Sequence, residues 1–279
     1  LTEVKREKEM RQGMKNKGAK KQQGVQVLNR AISLLMELAN FKREVELAEL
    51  ARRTGLNKST SSRILSTMEN WKLVRQNPIT RRFSLGHVLI HLGNMASSQL
   101  FLPELFHFRL EKLMELTGET SSLVILDKDK AVYIDQVQPR SLIRSFPTVG
   151  SAVSLHCTAV GKVLLSGMSK EVLENLVKKG SLPALTPKTI TDPKALLRQI
   201  EEIRLKGYAV DDEETEIGGR CIAAPVFNSK GEVIAAVGIS GPSSRVTYDR
   251  IPEMAKIVIE IAKEISSELS LPSFKQAHK

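Results

Sequence analysis

Residues 46–74, ELAELARRTGLNKSTSSRILSTMENWKLV, decide the fold of the N-terminal part of this 279-residue chain. Glu46 to Arg53 is short and amphipathic through Leu47, Leu50 and Ala51, and Thr54-Gly55-Leu56 closes it, with Gly55 suited to a left-handed turn position. Asn57 is placed to cap a further helix, Lys58 to Asn70, whose buried stripe is Ile64, Leu65 and Met68. The opposite face carries Lys58, Ser59, Thr60, Ser62 and Arg63. Two helices joined by a short glycine-containing turn, the second polar and basic at its start, predict a helix-turn-helix.

Working outward, Val27 to Asn40 places Leu28, Ala31, Ile32, Leu35, Leu38 and Ala39 at helical spacing and reads as a first helix. Downstream, Leu73 to Gln76 and Arg82 to Leu85 flank Asn77-Pro-Ile-Thr-Arg81, which predicts a hairpin, the wing. Residues 1–24 are rich in Lys, Arg, Gln and Gly with little to bury, and read as a disordered basic tail, either a mere solvated leader or an aid to binding a polyanion. The expected division is therefore a tail over 1–24, a winged helix-turn-helix over 25–86, a linker helix over 87–103, a second domain over 104–272 and a tail over 273–279. The linker stretch is more apolar than a free linker needs, which points to a dimer contact.

The second domain opens with a helix from Glu104 to Leu116 and a hairpin of Ser121 to Leu126 with Ala131 to Val137. Helical patterns follow over Cys157 to Ser166, Lys170 to Lys178, Pro193 to Lys206 and Pro252 to Leu269. Strand-like runs cover Tyr208 to Val210, Ile222 to Phe227 and Val233 to Ser240, the last two joined by Asn228-Ser-Lys-Gly231. Hairpins with helices outside them indicate an α+β fold with a mainly antiparallel sheet.

The net charge is +11 and its placement is informative. Residues 1–86 hold 19 Lys and Arg against 8 Asp and Glu, and the remainder balances at 23 of each. A polyanion-binding module joined to a neutral domain has this profile, whereas a charge serving solubility is spread out. Cys157 and Cys221 are the two cysteines, too few for a disulfide framework, so a reducing compartment is expected. No apolar run reaches the roughly 18 residues of a membrane span, and the N-terminal stretch lacks a signal-peptide core, so the cytoplasm is the expected location.

The sequence resembles the IclR family of bacterial transcriptional regulators from Val25 to Leu269. The resemblance rests on residues 46–74 with Arg82-Phe-Ser-Leu-Gly86, on Leu155-His-Cys-Thr-Ala-Val-Gly-Lys-Val-Leu-Leu165, on Gly207-Tyr-Ala-Val-Asp-Asp-Glu-Glu-Thr-Glu216 with Cys221-Ile-Ala-Ala-Pro-Val-Phe227, and on Val237-Gly-Ile-Ser-Gly-Pro242. It implies a winged helix-turn-helix joined by a helix to a GAF-like effector domain, acting as a homodimer or a dimer of dimers. One departure is Lys72, where family members commonly have glycine; a left-handed lysine costs about 1 kcal/mol.

For DNA, Lys58, Ser59, Thr60, Ser62 and Arg63 are the expected contacts of the recognition helix, with Arg63 the base reader. Arg52 and Arg53 beside the turn are expected at phosphate, and Arg75, Arg81 and Arg82 on the wing at phosphate or in a minor groove. The alternative for each is a solvated surface charge. The expected partner is double-stranded DNA with a palindromic operator.

For the effector, the loop entering the helix at Cys157 to Val160 leaves backbone N–H groups available to an anion such as a carboxylate. The resemblance carries the pocket onto Ala159, Val160, Asp211, Cys221 and Ser240, with Gly238 where some members have serine. Leu142, Ile143 and Phe146 are candidates for its apolar wall, against plain core packing. The acidic run Asp211 to Glu216 reads as a solvated face, with Asp211 alone favoured for the pocket. His156, Cys157, Asp211, Asp212 and Cys221 have no spacing that demands zinc, and no metal or other cofactor is expected. A Cys157 nucleophile leaves the basic module unexplained, so the chain is expected not to be an enzyme; the remaining rival is a ligand-binding assembly protein without sequence-specific DNA binding.

Overall fold

The computed structural model describes residues 25–41, 43–99, 102–140, 148–179 and 182–270. Both expected tails, 1–24 and 273–279, lie outside this set. The chain divides into two compact units between Asn94 and Met95.

The first unit comprises α1 (Gln26–Ala39), α2 (Leu47–Thr54), α3 (Lys58–Asn70), β1 (Val74–Gln76) and β2 (Phe83–Leu85). Gly55 ends α2 at φ +69°, and the Asn57 side chain caps α3 by accepting from the Thr60 N–H at 2.8 Å. Leu34, Leu38, Leu50, Leu65, Met68, Val74 and Phe83 form the core; the stripes predicted for α2 and α3 face it, whereas α1 buries Leu34 and Leu38 and leaves Leu28, Ile32 and Ala39 of its predicted stripe exposed. The hairpin pairs Val74 with Leu85 and Gln76 with Phe83, and Val45 adds a bridge to Phe83 in both directions. On α1, Leu28, Ile32 and Met36 stand one turn apart and each is about half exposed or more, at 56%, 48% and 64%.

Helix α4 (Val88–Gln99) crosses the boundary between the units. The single helix expected from Gly86 to Leu102 is shorter, and a second helix begins at Leu102. Pro103 does not terminate α4; it lies in the first turn of α5 (Leu102–Thr117), where its missing N–H has no helical partner to lose.

In the second unit, β3 (Thr120–Asp127), β4 (Lys130–Val137), β5 (Ala152–Ser154), β6 (Ala209–Asp212), β7 (Gly219–Phe227) and β8 (Val233–Pro242) form one sheet in the order β5-β4-β3-β8-β7-β6, every pairing antiparallel. Alternate residues serve opposite faces. Leu123, Ile134, Ile222, Ala224, Val237 and Ile239 pack with α5 and α9 (Ile251–Leu269). Val124, Tyr133, Ala209, Ala223 and Ala236 pack with α6 (Ala159–Ser166), α7 (Lys170–Lys179) and α8 (Pro193–Lys206). The three-residue strand β5 carried no usable pattern in the sequence. The helix expected from Cys157 begins at Ala159 instead, because Thr158 is its N-cap and accepts from the Gly161 N–H at 3.1 Å.

Lys72 has φ +57°, the left-handed conformation anticipated for it. Its carbonyl oxygen sits 1.9 Å from where a side chain on Gly86 would begin, so the end of the wing closes on this turn only because residue 86 is glycine. Lys72→Gly is expected to stabilise the N-terminal unit by about 1 kcal/mol, and Gly86→Ala to destabilise it by about 1 to 3 kcal/mol, both read from thermal unfolding of the full chain. A parental midpoint for both variants contradicts this account of the turn.

Candidate functional site: a basic helix face and a polar row on the sheet

Capping by Asn57 fixes where α3 starts and therefore which side chains leave its first turns. Lys58, Ser59, Ser62 and Arg63 are exposed, while Thr60 is half-buried. Ser61 is fully buried and turns to the core. Among the described residues, Lys58, Arg63, Arg52 and Arg81 have no ion-pair partner. The others are held: Arg53 by Glu37 at 3.4 Å and over the Phe41 ring, Arg75 by Glu44 at 3.7 Å, and Arg82 by Glu46 at 2.9 Å. The wing turn is pinned as well. Asn77 Oδ1 accepts from the Ile79 and Thr80 N–H groups, and its Nδ2 donates to the Glu44 carboxylate at 2.9 Å. This face therefore presents unpaired cations on the recognition helix beside a wing on which Arg75 and Arg82 are held and Arg81 is unpaired.

In the second unit the strand register aligns Asp211, Cys221, Ser240 and Thr120 directly across β6, β7, β8 and β3. Directly opposed residues share a face, and Ser121 fixes which one by donating to Leu110 on the other side, at 2.7 Å. The adjacent row on that face is Ala209, Ala223, Gly238 and Ser122. A side chain at 238 would start 2.6 Å from the Ile222 carbonyl oxygen and 2.9 Å from Ala223 Cβ, so glycine there lets the strands sit close and adds no hydroxyl. Helix α6 packs across β6, β7 and β8, which brings Ala159 and Val160 over this face. Their backbone N–H groups have no partner among the described residues, because Thr158 caps Gly161 and Lys162 bonds back to the Thr158 carbonyl. Leu142, Ile143 and Phe146 lie outside the described residues.

The expected solvated face over Asp211 to Glu216 is corrected in part, since Asp211 and Glu214 are 3% and 4% exposed. Asp212 and Glu213 look outward and bind Lys188, Asp212 also accepting from Tyr248 and Arg220. Glu214 turns inward to Lys162, a lysine with no solvent exposure, whose Nζ lies 2.5 Å from the carboxylate and 2.6 Å from the Val210 carbonyl. Burial pushes the Glu214 carboxyl up, and the adjacent ammonium opposes it. Sequence reasoning missed Lys162; a lone lysine inside the apolar run Val160 to Leu165 was the available signal.

Asp211 accepts from the Glu214 N–H at 2.8 Å and lies 2.7 Å from the Thr215 hydroxyl, which is itself 3.0 Å from the Cys157 carbonyl. That hydroxyl has one proton and two acceptors. Both contacts are hydrogen bonds only when Asp211 is protonated and donates to Thr215, whose own proton then goes to the Cys157 carbonyl; with Asp211 ionised the hydroxyl serves one acceptor alone. Burial pushes the Asp211 carboxyl up, in the required direction. Tyr133 on β4 is also missed by the sequence reading: burial, then Cys221 and Asp211, push its phenol up, so it borders the same row.

Cys157 is fully buried and its thiol is pushed up by burial; Cys221 is pushed up to about 12 by burial and the Asp211 charge. Neither is a ready thiolate. Among the described residues no group of three His, Cys, Asp or Glu side chains is placed to hold a metal ion, and no helix is long and apolar enough to cross a membrane.

Residues 27–78 match the IclR helix-turn-helix domain and residues 95–267 the C-terminal domain of bacterial transcriptional regulators of the IclR type. The chain belongs to the IclR family. It is 37% identical to the acetate operon repressor of Salmonella typhimurium strain LT2 over 244 residues, covering 87% of this chain and 89% of that one. The solved IclR of Thermotoga maritima superposes with a TM-score of 0.74 at 32% identity, covering 88% and 98%. An IclR homologue from Microbacterium hydrocarbonoxydans complexed with 4-hydroxybenzoate gives 0.74 at 25% identity, covering 87% and 98%. The IclR-family chain is thus a DNA-binding transcription regulator with an effector-binding domain.

The raised carboxyl of Asp211 contributes stability that is present below its ordinary pKa of 3.8 and is lost as pH rises through the folded value. Asp211→Asn keeps every hydrogen bond of the protonated acid, so it is expected to raise stability at pH 7 and to flatten that loss in urea titrations across pH. A destabilised asparagine variant at pH 7 sinks the neutral-acid assignment. Separately, Lys162→Met strands Glu214 and is expected to cost about 3 to 5 kcal/mol, with Lys162→Met/Glu214→Leu recovering most of it in the same assay.

Proposed function

We propose that this regulator represses transcription from a palindromic operator as a homodimer or dimer of dimers, and that a small organic acid changes its grip on DNA. The domain division offered is 25–86 for DNA binding, 87–103 for the linker and 104–272 for the effector. In this reading Lys58, Ser59, Thr60, Ser62 and Arg63 enter the major groove, Arg63 reads a base, and Arg52, Arg53, Arg75, Arg81 and Arg82 engage phosphate or the minor groove. The observation that carries the DNA half is the set of unpaired cations at the capped start of α3. Support for the dimer comes from the apolar stripe of α1 and from Ile90 and Leu92 on α4, which are 68% and 50% exposed.

The effector half places a carboxylate against the free N–H groups of Ala159 and Val160, beside Cys157, Asp211, Cys221, Gly238 and Ser240. A buried anion needs such donors and no facing negative charge. The 4-hydroxybenzoate held by the Microbacterium homologue is a ligand of this class. The cytoplasm is the compartment proposed.

Fluorescence anisotropy on duplexes selected from a random library, titrated at several salt concentrations, tests the reading. Arg63→Ala is expected to lose about 1 to 3 kcal/mol of discrimination at one base position, and Arg52→Ala to weaken all sequences alike while lowering the salt slope by about 1. Uniform loss in Arg63→Ala moves it to the phosphate contacts. Binding that ignores salt refutes the assignment of the whole face.

A further inference from the structure

A cavity of about 250 Å³ lies in the second unit away from the polar row. Strand β6 pairs with β7 only as far as Ala209 and Ala223. Beyond that, among the described residues, no strand flanks this edge of β7 from Ala224 to Phe227. Pro225 suits such an edge, having no N–H to leave unpaired. The end of α8 around Ile203 and Gly207 and the face of α9 at Ile259 and Ala262 close over the gap, with Val233 of β8 on its floor. Apart from Ser166, the polar lining residues are Arg204 and Lys263, both cations, and no acidic side chain lines the cavity.

The two cations differ. Arg204 is spent on the structure, donating to the Ser166 and Met168 carbonyls at 2.9 and 2.6 Å and to Glu201 at 2.6 Å. Lys263 is exposed and has no ion-pair partner among the described residues. Its neighbour Glu264 is already bound by Arg109 and Lys112. An apolar hollow with an uncommitted ammonium and no carboxylate fits a molecule with the opposite layout. We infer that this cavity is a second ligand site, distinct from the polar row, that takes a small monocarboxylate with a short alkyl or aryl body. The volume lies below the range of drug-sized ligand pockets, which limits that body to a few carbons or one ring. Ser166, at the C-terminal end of α6, lines the cavity, while Ala159 and Val160 at the other end of the same helix face the polar row.

Hexanoate is the probe, with hexanol and hexylamine as its neutral and cationic counterparts, titrated into the full chain carrying ¹³C-labelled Ile, Val and Ala methyls. Saturable shifts of Ile259 and Val233 with hexanoate, at least tenfold weaker with hexanol and with Lys263→Glu, and unchanged by Asp211→Asn, support the site. Lys263→Gln is expected to fall between parent and Lys263→Glu; parental melting of both variants verifies that they are folded. The site is overturned if Ile259 and Val233 do not move, or if hexanol or Lys263→Glu binds as the parent binds hexanoate. Shifts confined to Ala159 and Val160 overturn it while leaving the first effector site standing.

Discussion

A lysine with no solvent exposure organises the effector domain. Lys162 projects from α6 into the interior and is held by Glu214 and the Val210 carbonyl. A buried ammonium without such partners is expensive enough to unfold a marginal domain, so α6 and the segment after β6 must settle together. Their positions then set the rest. With Glu214 drawn inward, Asp211 and Thr215 form the turn that reaches the Cys157 carbonyl, and the free N–H groups of Ala159 and Val160 come to rest over the polar row. The ion pair thus acts on the candidate site through geometry, without being part of it.

The N-terminal unit solves a different problem, which is to display positive charge without losing definition. Acidic residues are few there, and of the described ones Glu37, Glu44, Glu46 and Glu49 sit on arginines, while Glu69 near the end of the recognition helix accepts from the Gln76 N–H. Glu44 and Glu46 hold Arg75 and Arg82 beside the hairpin, and Glu44 also takes Asn77 and Thr80, so one carboxylate orders both a cation and the turn. Lys58 and Arg63 are left unpaired at the opening of α3, where a phosphate or base edge can replace water.

The helices of both units were legible in the sequence because each has a single apolar face and a local punctuation mark: Gly55 and Asn57 around the turn, Pro193 behind Asp192, Gly207 after Lys206. The sheet was legible as pairs of strands and not as an order, since pairings such as β3 with β8 join residues far apart in the chain. What failed has a common cause. Lys162 and Glu214 each look like surface residues locally, and their burial depends on a partner about fifty positions away. The alignment of Thr120 with Asp211 likewise needs the strand register, which no local pattern carries. Pro103 was misread because proline stops a helix it would enter and is well tolerated in the first turn of one it begins.

The proton on Asp211 ties structure to signalling. In the proposed site an incoming carboxylate meets helix N–H donors on one side and Asp211 on the other. An ionised Asp211 repels it, whereas a neutral Asp211 can donate a hydrogen bond, to Thr215 or to the ligand. Binding the acid and protonating Asp211 are then linked and each favours the other by the same free energy. Burial pushes the Asp211 carboxyl up, toward the neutral form that a bound anion favours in turn. Such a ligand can shift the regulator only if the arrangement of α6 and the segment after β6 differs between the two states it distinguishes, because equal affinity for both moves nothing. The Lys162–Glu214 pair joins those two elements, so any change in their arrangement must stretch, keep or break it.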